Sequence, residues 1–95
     1  MCANDQTALG VMDVLRTAGL RVPRDVVVTG FDGIPEGLMS APTLTTVVQP
    51  MLEFGRAAVD AALGRIDEPR REGVVRTLPV RVVLRESCGC GVART

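Results

Sequence analysis

The sequence lacks three residue types that often carry out chemistry in proteins: it has no histidine, no tryptophan and no tyrosine, and it has only two phenylalanines. Without histidine, the chain lacks the side chain that most often acts as a general base or metal ligand near neutral pH. It also has no Gly-x-Ser-x-Gly elbow and no Walker loop, and its TGFDG stretch lacks the glycine spacing of a dinucleotide fingerprint. We therefore expect neither an enzyme nor a cofactor.

Cysteine is scarce and odd in number, with Cys2, Cys88 and Cys90 as its three instances. The last two form a Cys-Gly-Cys that is too tight for a comfortable disulfide. A second cysteine pair and a histidine, which a zinc site would need, are both missing. The sequence therefore predicts reduced thiols, a cytoplasmic location and no metal.

Lysine is absent, so all eleven basic residues are arginine, and they balance eleven acidic residues to a net charge of zero. No segment concentrates arginine enough to follow a phosphate backbone, so this chain alone is not expected to bind nucleic acid. No apolar run approaches the ~18 residues of a membrane span. Ninety-five residues suffice for one small globular domain with a modest core.

Two amphipathic helices are predicted. Apolar residues recur every three or four positions over residues 5–18, between a capping residue, Asn4 or Asp5, and a helix-ending Gly19. Pro50 suits the first position of the second helix because its missing N–H would have had no partner there.

The strand signals lie between and after these helices. The β-branched run VVVTGF, residues 26–31, is expected to be a strand covered on both faces, which is typical of parallel sheets. A helical turn around residues 36–40 and a strand over residues 44–49 follow. Residues 74–86 contain two strand-like runs, and residues 87–95 are expected to be a frayed tail. Alternating helices and strands predict an α/β fold with a parallel sheet, and a strand is expected upstream of the first helix.

Asp32 lies where the first predicted strand ends, at the edge of the sheet where ligands bind in open α/β folds. The first helix would begin at the same edge, which brings Asn4 and Asp5 nearby. A carboxylate beside an amide suits a neutral polyhydroxylated ligand. Two plainer explanations remain: Asp32 before Gly33 is common in turns, and Asn4 or Asp5 can simply cap the helix. Asp5 and Asp32 as an acid and base pair is a weaker possibility.

The stretch ANDQTALGVMDVLRTAGLRVPRDVVVTGFDGIP, followed by PTLTTVVQP, GRAAVDAAL and RESCGC, closely resembles the effector-binding domain of LacI/GalR-type transcriptional repressors. The resemblance covers residues 3–90. It implies a periplasmic-binding-protein-like (type I) fold that is incomplete here. Residues 3–47 would belong to the C-terminal subdomain, 48–50 to a crossover, 51–80 to the other subdomain, and 81–90 to a returning strand and tail.

The resemblance also assigns roles to residues. In the family, the Asn of AND and the Asp of GFD hydrogen-bond a small effector, usually a sugar, and a crossover Gln joins their network; these match Asn4, Asp32 and Gln49. The family forms homodimers through the helix after AND and the segment after GFD. The corresponding residues are Leu9, Met12, Asp13, Glu36, Met39 and Ser40, although Leu9 and Met12 are equally compatible with core packing.

Family members also carry a DNA-binding headpiece and a first subdomain that this sequence does not contain. Operator DNA would therefore be bound only through that headpiece, and we expect a truncated piece of a regulator that binds sugars weakly or not at all by itself. The closest alternative is a piece of an exported sugar-binding protein of a transporter. A small enzyme that uses Asp32 as a base, and a fragment with no activity, are further alternatives.

Overall fold

The computed structural model describes residues 1–90. Its helices are α1 (Asp5–Thr17), α2 (Glu36–Met39) and α3 (Met51–Asp67), and its strands are β1 (Thr46–Val48) and β2 (Arg81–Val83). A 3-10 helix follows at Glu86–Cys88. The described chain divides into two compact units, one built from residues 1–49 and 81–90, the other from residues 50–80.

Helix α1 begins and ends with the signals that its sequence predicts. The Asn4 side chain accepts a hydrogen bond from the Thr7 N–H at 2.8 Å, which caps the first turn. Gly19 adopts a left-handed φ of 80° just beyond the helix. The predicted helix over residues 5–18 is therefore confirmed to within one residue, and Asn4, not Asp5, is its cap.

Residues 26–33 run parallel to residues 45–48, as predicted, but they form two isolated bridges, Thr29 with Thr45 and Asp32 with Val48, where a regular strand was expected. On their other side, the Cys2 N–H donates to the Thr29 carbonyl and the Asp5 N–H donates to the Phe31 carbonyl. The expectation that both faces are covered is wrong, because the Val27 side chain is 53 % exposed.

The regular ladder among the described residues is antiparallel and short. Strand β1 pairs with β2 in the register Thr46 with Val83, Val47 with Val82 and Val48 with Arg81. The predicted first strand of the 74–86 segment is wrong, since residues 71–80 have no regular structure. The parallel pairing of the α/β prediction is confined to the two bridges in residues 29–48.

The core of the first unit is small, and Ser87, near the end of the described chain, is buried against it. Ala8, Met12, Val28 and Leu44 are its buried apolar residues. Ser87 is fully buried beside them, so the prediction of a frayed tail is wrong for the 3-10 helix; residues 91–95 lie outside the described part. A buried serine needs hydrogen-bond partners, and Ser87 has them in Val28 and Thr45.

The second unit consists of α3 and the irregular chain after it. The Phe54 N–H donates to the Pro50 carbonyl in the first turn, so the predicted proline-led helix is confirmed. None of the residues of α3 is buried. Within residues 1–90, no helix combines the length and the apolar character needed to cross a membrane.

Candidate functional site

Asp32 sits in a backbone conformation that side chains other than glycine rarely adopt, with a φ of 132°. Its N–H donates to the Val47 carbonyl at 2.9 Å, and its carbonyl accepts from the Gln49 N–H at 3.2 Å. These two hydrogen bonds fix the backbone on both sides of the Cα atom. The direction of the Asp32 side chain is therefore set by its backbone pairing with Val47 and Gln49.

The carboxylate of Asp32 is hydrogen-bonded to Gln49. The Gln49 Nε2 group donates to Asp32 Oδ1 over 2.6 Å, and both side chains are partly exposed. The structure thus brings together two of the three residues that the sequence predicts as ligand contacts. An ionised carboxylate offers about four acceptor sites, so the bond to Gln49 leaves capacity for hydroxyl donors.

Asn4, the third predicted contact, reaches the same region through the backbone. The N–H of Asp5, its neighbour, donates to the carbonyl of Phe31, the residue before Asp32, at 3.0 Å. The cap uses the Oδ1 atom of Asn4, and its Nδ2 group carries two N–H donors. Capping and ligand binding are therefore compatible roles for this side chain.

Asp5 has a place in the structure that sequence reasoning missed. Its side chain is fully buried. Oδ2 accepts hydrogen bonds from the backbone N–H groups of Gly33 and Ile34, both at 2.9 Å, and Oδ1 accepts one from the Thr46 hydroxyl at 2.5 Å. This carboxylate faces the interior of the unit, so the idea of an acid and base pair with Asp32 has no geometric support.

No local signal in the sequence could have revealed these contacts of Asp5. Its partners lie 28, 29 and 41 residues further along the chain. An aspartate directly after a capping asparagine looks like an ordinary first-turn acid that interacts with the helix dipole. The only hint was its position at the edge shared with Asp32.

A groove in the same unit gathers all six residues predicted for the dimer surface. It has a volume of about 620 Å³ and is formed by α1, α2 and the turns that follow them. Met39 projects from α2 and is 75 % exposed, while Asp13 forms an exposed ion pair with Arg16 at 2.5 Å. The full set of predicted residues in the groove is Leu9, Met12, Asp13, Glu36, Met39 and Ser40.

A second cavity, of about 390 Å³, lies within residues 54–78 and contains none of the predicted contacts. Its lining alternates apolar groups such as Phe54 and Leu78 with charged groups such as Asp60 and Arg71. We assign it no ligand.

Cys2, Cys88 and Cys90 are each partly buried. Burial raises the pKa of the Cys88 thiol, but hydrogen bonds from the Cys90 side chain and from Thr45 outweigh burial and lower that pKa below its ordinary value. Among residues 1–90, no three side chains of the metal-binding types converge on one point.

Comparison with known proteins gives a consistent picture. The family model of the periplasmic binding protein-like domain matches residues 1–88. The transcriptional repressor MelR of Bacillus subtilis is 40 % identical over 88 residues, which are 93 % of this chain and 25 % of MelR. The ribose operon repressor of Haemophilus influenzae is 36 % identical over 86 residues, 90 % of this chain and 26 % of that repressor.

Two solved structures of similar proteins are complexes with sugars. A LacI family regulator from Arthrobacter in complex with lactose is 42 % identical, with a TM-score of 0.74, and is matched over 90 % of this chain and 33 % of its own. The regulator CelR in complex with cellobiose reaches a TM-score of 0.81 at 35 % identity, over 90 % of this chain and 26 % of its own. The chain thus spans about a quarter of the curated relatives described above.

Proposed function

Because this chain belongs to the periplasmic binding protein-like family, in the branch of LacI-type transcriptional regulators, we propose that it forms part of the effector-binding and dimerisation domain of such a regulator. The effector is a small sugar-like molecule. Asn4, Asp32 and Gln49 donate and accept the hydrogen bonds that hold it. Operator DNA is bound through a headpiece outside these 95 residues, and the regulator works in the cytoplasm, where its DNA is.

The observation that carries this proposal is the fixed Asp32 carboxylate. A non-glycine residue at a φ of 132° is strained, and such strain persists where the surrounding structure over-determines it, often at ligand sites. Here two backbone hydrogen bonds and the Gln49 side chain hold the residue. A carboxylate held in this way can accept from two neighbouring hydroxyls of a sugar in charge-assisted bonds. The sugar complexes of CelR and the Arthrobacter regulator support this ligand class.

The subdomain boundaries complete the proposal. Residues 3–47 form the C-terminal subdomain, residues 48–50 are a crossover, residues 51–80 belong to the other subdomain, and residues 81–90 return to the first. The division of the chain near residues 49 and 80 supports these boundaries. Effector binding would shift the regulator between two arrangements of different DNA affinity.

Titration of the ¹⁵N-labelled chain with ribose, lactose and cellobiose, each followed by NMR, tests the effector site. We expect saturable shifts of the Asn4 and Gln49 side-chain amide signals with a millimolar dissociation constant for at least one sugar, because much of the cleft lies outside the chain. Asp32→Ala should abolish the shifts. Asp60→Ala, a matched change on the exposed helix α3, should leave them unchanged.

Equal binding of a sugar by Asp32→Ala and the unmodified chain would contradict the effector site. Micromolar binding would contradict the premise that much of the cleft lies outside the chain. If the chain converted any of the sugars and Asp32→Asn abolished that conversion, the enzyme alternative would be favoured. The contacts of Asp5 and Asp32 do not support this alternative.

The groove lined by the six residues supports the dimerisation part of the proposal. Sedimentation velocity over a range of concentrations should show self-association that Met39→Asp weakens at least tenfold, since burying a methionine contributes about 1.5–3 kcal/mol. Val14→Asp is the matched control, because Val14 is similarly exposed, at 69 %, but lies away from the groove. Equal effects of the two changes, or a monomer at all concentrations, would contradict this surface.

A further inference from the structure

Asp5 is a buried carboxylate that accepts hydrogen bonds from a turn in another part of the chain. Burying a charge is costly unless hydrogen bonds replace its water, and the three donors around Asp5 do so: the Gly33 N–H, the Ile34 N–H and the Thr46 hydroxyl. The packing around it is close. A Cβ atom added to Gly30 would collide with the Asp5 carboxylate and come within 3.2 Å of its Cα atom.

The turn that Asp5 holds begins directly after Asp32. Gly33 also has a left-handed φ, of 84°, so two consecutive residues leave the ordinary backbone regions. The hydrogen bonds to Val47 and Gln49 hold Asp32 from one direction. The carboxylate of Asp5 holds the next two N–H groups from the other direction, which prevents the Asp32 peptide from relaxing by rotation.

A simple space-filling or capping role does not account for these contacts. Asn4 supplies the cap of α1, so Asp5 is not needed for that purpose. An apolar side chain of similar size would leave the Gly33 and Ile34 N–H groups without an acceptor in a partly buried turn, at the usual cost of an unmade hydrogen bond. The distinctive property of Asp5 is one oxygen that accepts from two successive amides.

We propose that Asp5 is a positioning residue for effector binding: it holds the Gly33–Ile34 turn so that the Asp32 carboxylate points at the ligand in the absence of any ligand. This inference rests on the proposed function. It predicts that Asp5 raises the affinity of the site for the effector although Asp5 does not contact the effector. The reason is that a site that is already ordered does not lose conformational freedom on binding.

Amide hydrogen exchange of the full 95-residue chain, measured by NMR without effector, tests the positioning directly. In Asp5→Ala, the Gly33 and Ile34 amides should exchange at least about tenfold faster, because each loses a hydrogen bond to a charged acceptor. The Leu44 amide, which donates to the Gly37 carbonyl, should change less. The three-bond coupling between the amide and α protons of Asp32, which reports its φ angle, should also change.

Asp5→Asn is the conservative variant, and it keeps one carboxamide oxygen for the two amides while its Nδ2 group can donate to Thr46. We expect a smaller acceleration, confined to Gly33 and Ile34, and an Asp32 coupling close to that of the unmodified chain. If Asp5→Ala does not fold, Asp5→Asn decides: a local acceleration supports the inference, and a uniform acceleration or none overturns it.

The sugar titration separates this inference from the proposed function. We expect Asp5→Asn to keep most of the sugar affinity and folded Asp5→Ala to lose at least about tenfold. Equal affinity of folded Asp5→Ala and the unmodified chain would overturn the positioning role and leave the effector site standing. If Asp32→Ala bound a sugar as tightly as the unmodified chain, the proposed function would fail, whereas the exchange of Gly33 and Ile34 would still show whether Asp5 holds the turn.

Discussion

Replacing Ser87 by alanine should lower the free energy of unfolding by about 2–4 kcal/mol. The Ser87 hydroxyl donates to the Val28 carbonyl at 2.6 Å and accepts from the Thr45 N–H at 2.8 Å. Alanine removes both bonds and leaves a backbone acceptor and a backbone donor unpaired beside the core, at about 1–2 kcal/mol each. A domain of this length has a total stability of about 5–14 kcal/mol, so the loss is a large fraction of the whole.

Urea unfolding followed by far-ultraviolet circular dichroism measures this change, since the chain has no tryptophan or tyrosine to report by fluorescence. The midpoint should fall with an unchanged slope, and the melting temperature should fall by roughly 8–32 °C. Thr17→Ala is the control, because the Thr17 hydroxyl is exposed and bonds only within its own helix; its effect should stay within about 0.5 kcal/mol. A loss below about 1 kcal/mol in Ser87→Ala would refute the reasoning.

Two further predictions concern the turns and the pH dependence. Gly33→Ala should destabilise the chain by about 1–3 kcal/mol, since its φ is 84° and its Cβ would lie 2.8 Å from a Val48 methyl group. Gly10→Ala, in open space on α1, should instead stabilise it by up to about 1 kcal/mol. A rise of the urea midpoint in Gly33→Ala, or a fall in Gly10→Ala, would contradict the corresponding prediction. Hydrogen bonds from the Thr43 N–H and hydroxyl lower the pKa of Glu86. The contribution of Glu86 to stability is therefore present above the pKa of the unfolded carboxyl and is lost as the pH falls through the lower folded pKa. In that acid range, the urea midpoint of Glu86→Gln should fall less than that of the unmodified chain. Parallel plots of midpoint against pH for the two chains would exclude this role.

Elements set by local signals were predictable from the sequence. The start of α1 at a capping residue, its end before Gly19 and the proline-led start of α3 all follow from neighbouring residues. The family and the fold class are also confirmed, because the motifs that carry the resemblance occur in a fixed order. The helical turn α2 was placed to within one residue.

Features that depend on distant partners were not predictable. The β-branched run at residues 74–75 is strand-like by composition, but it has no paired neighbour among the described residues and remains irregular. The burial of Ser87 depends on Val28, 59 residues earlier, and the contacts of Asp5 depend on a turn 28 residues later. Asn4, Asp32 and Gln49 as effector contacts, and the six groove residues as a dimer surface, stay predictions.

The placement of Ser87 has a consequence for synthesis on the ribosome. Residues 1–49 leave the ribosome well before the segment that completes their core, because Ser87 follows Gln49 by about 40 residues. At about 5–20 residues per second, this delay lasts roughly 2–8 s. During that interval the carbonyl of Val28 and the N–H of Thr45 lack their hydrogen bonds to the Ser87 hydroxyl. The nascent chain therefore exposes an incomplete core to which chaperones can bind.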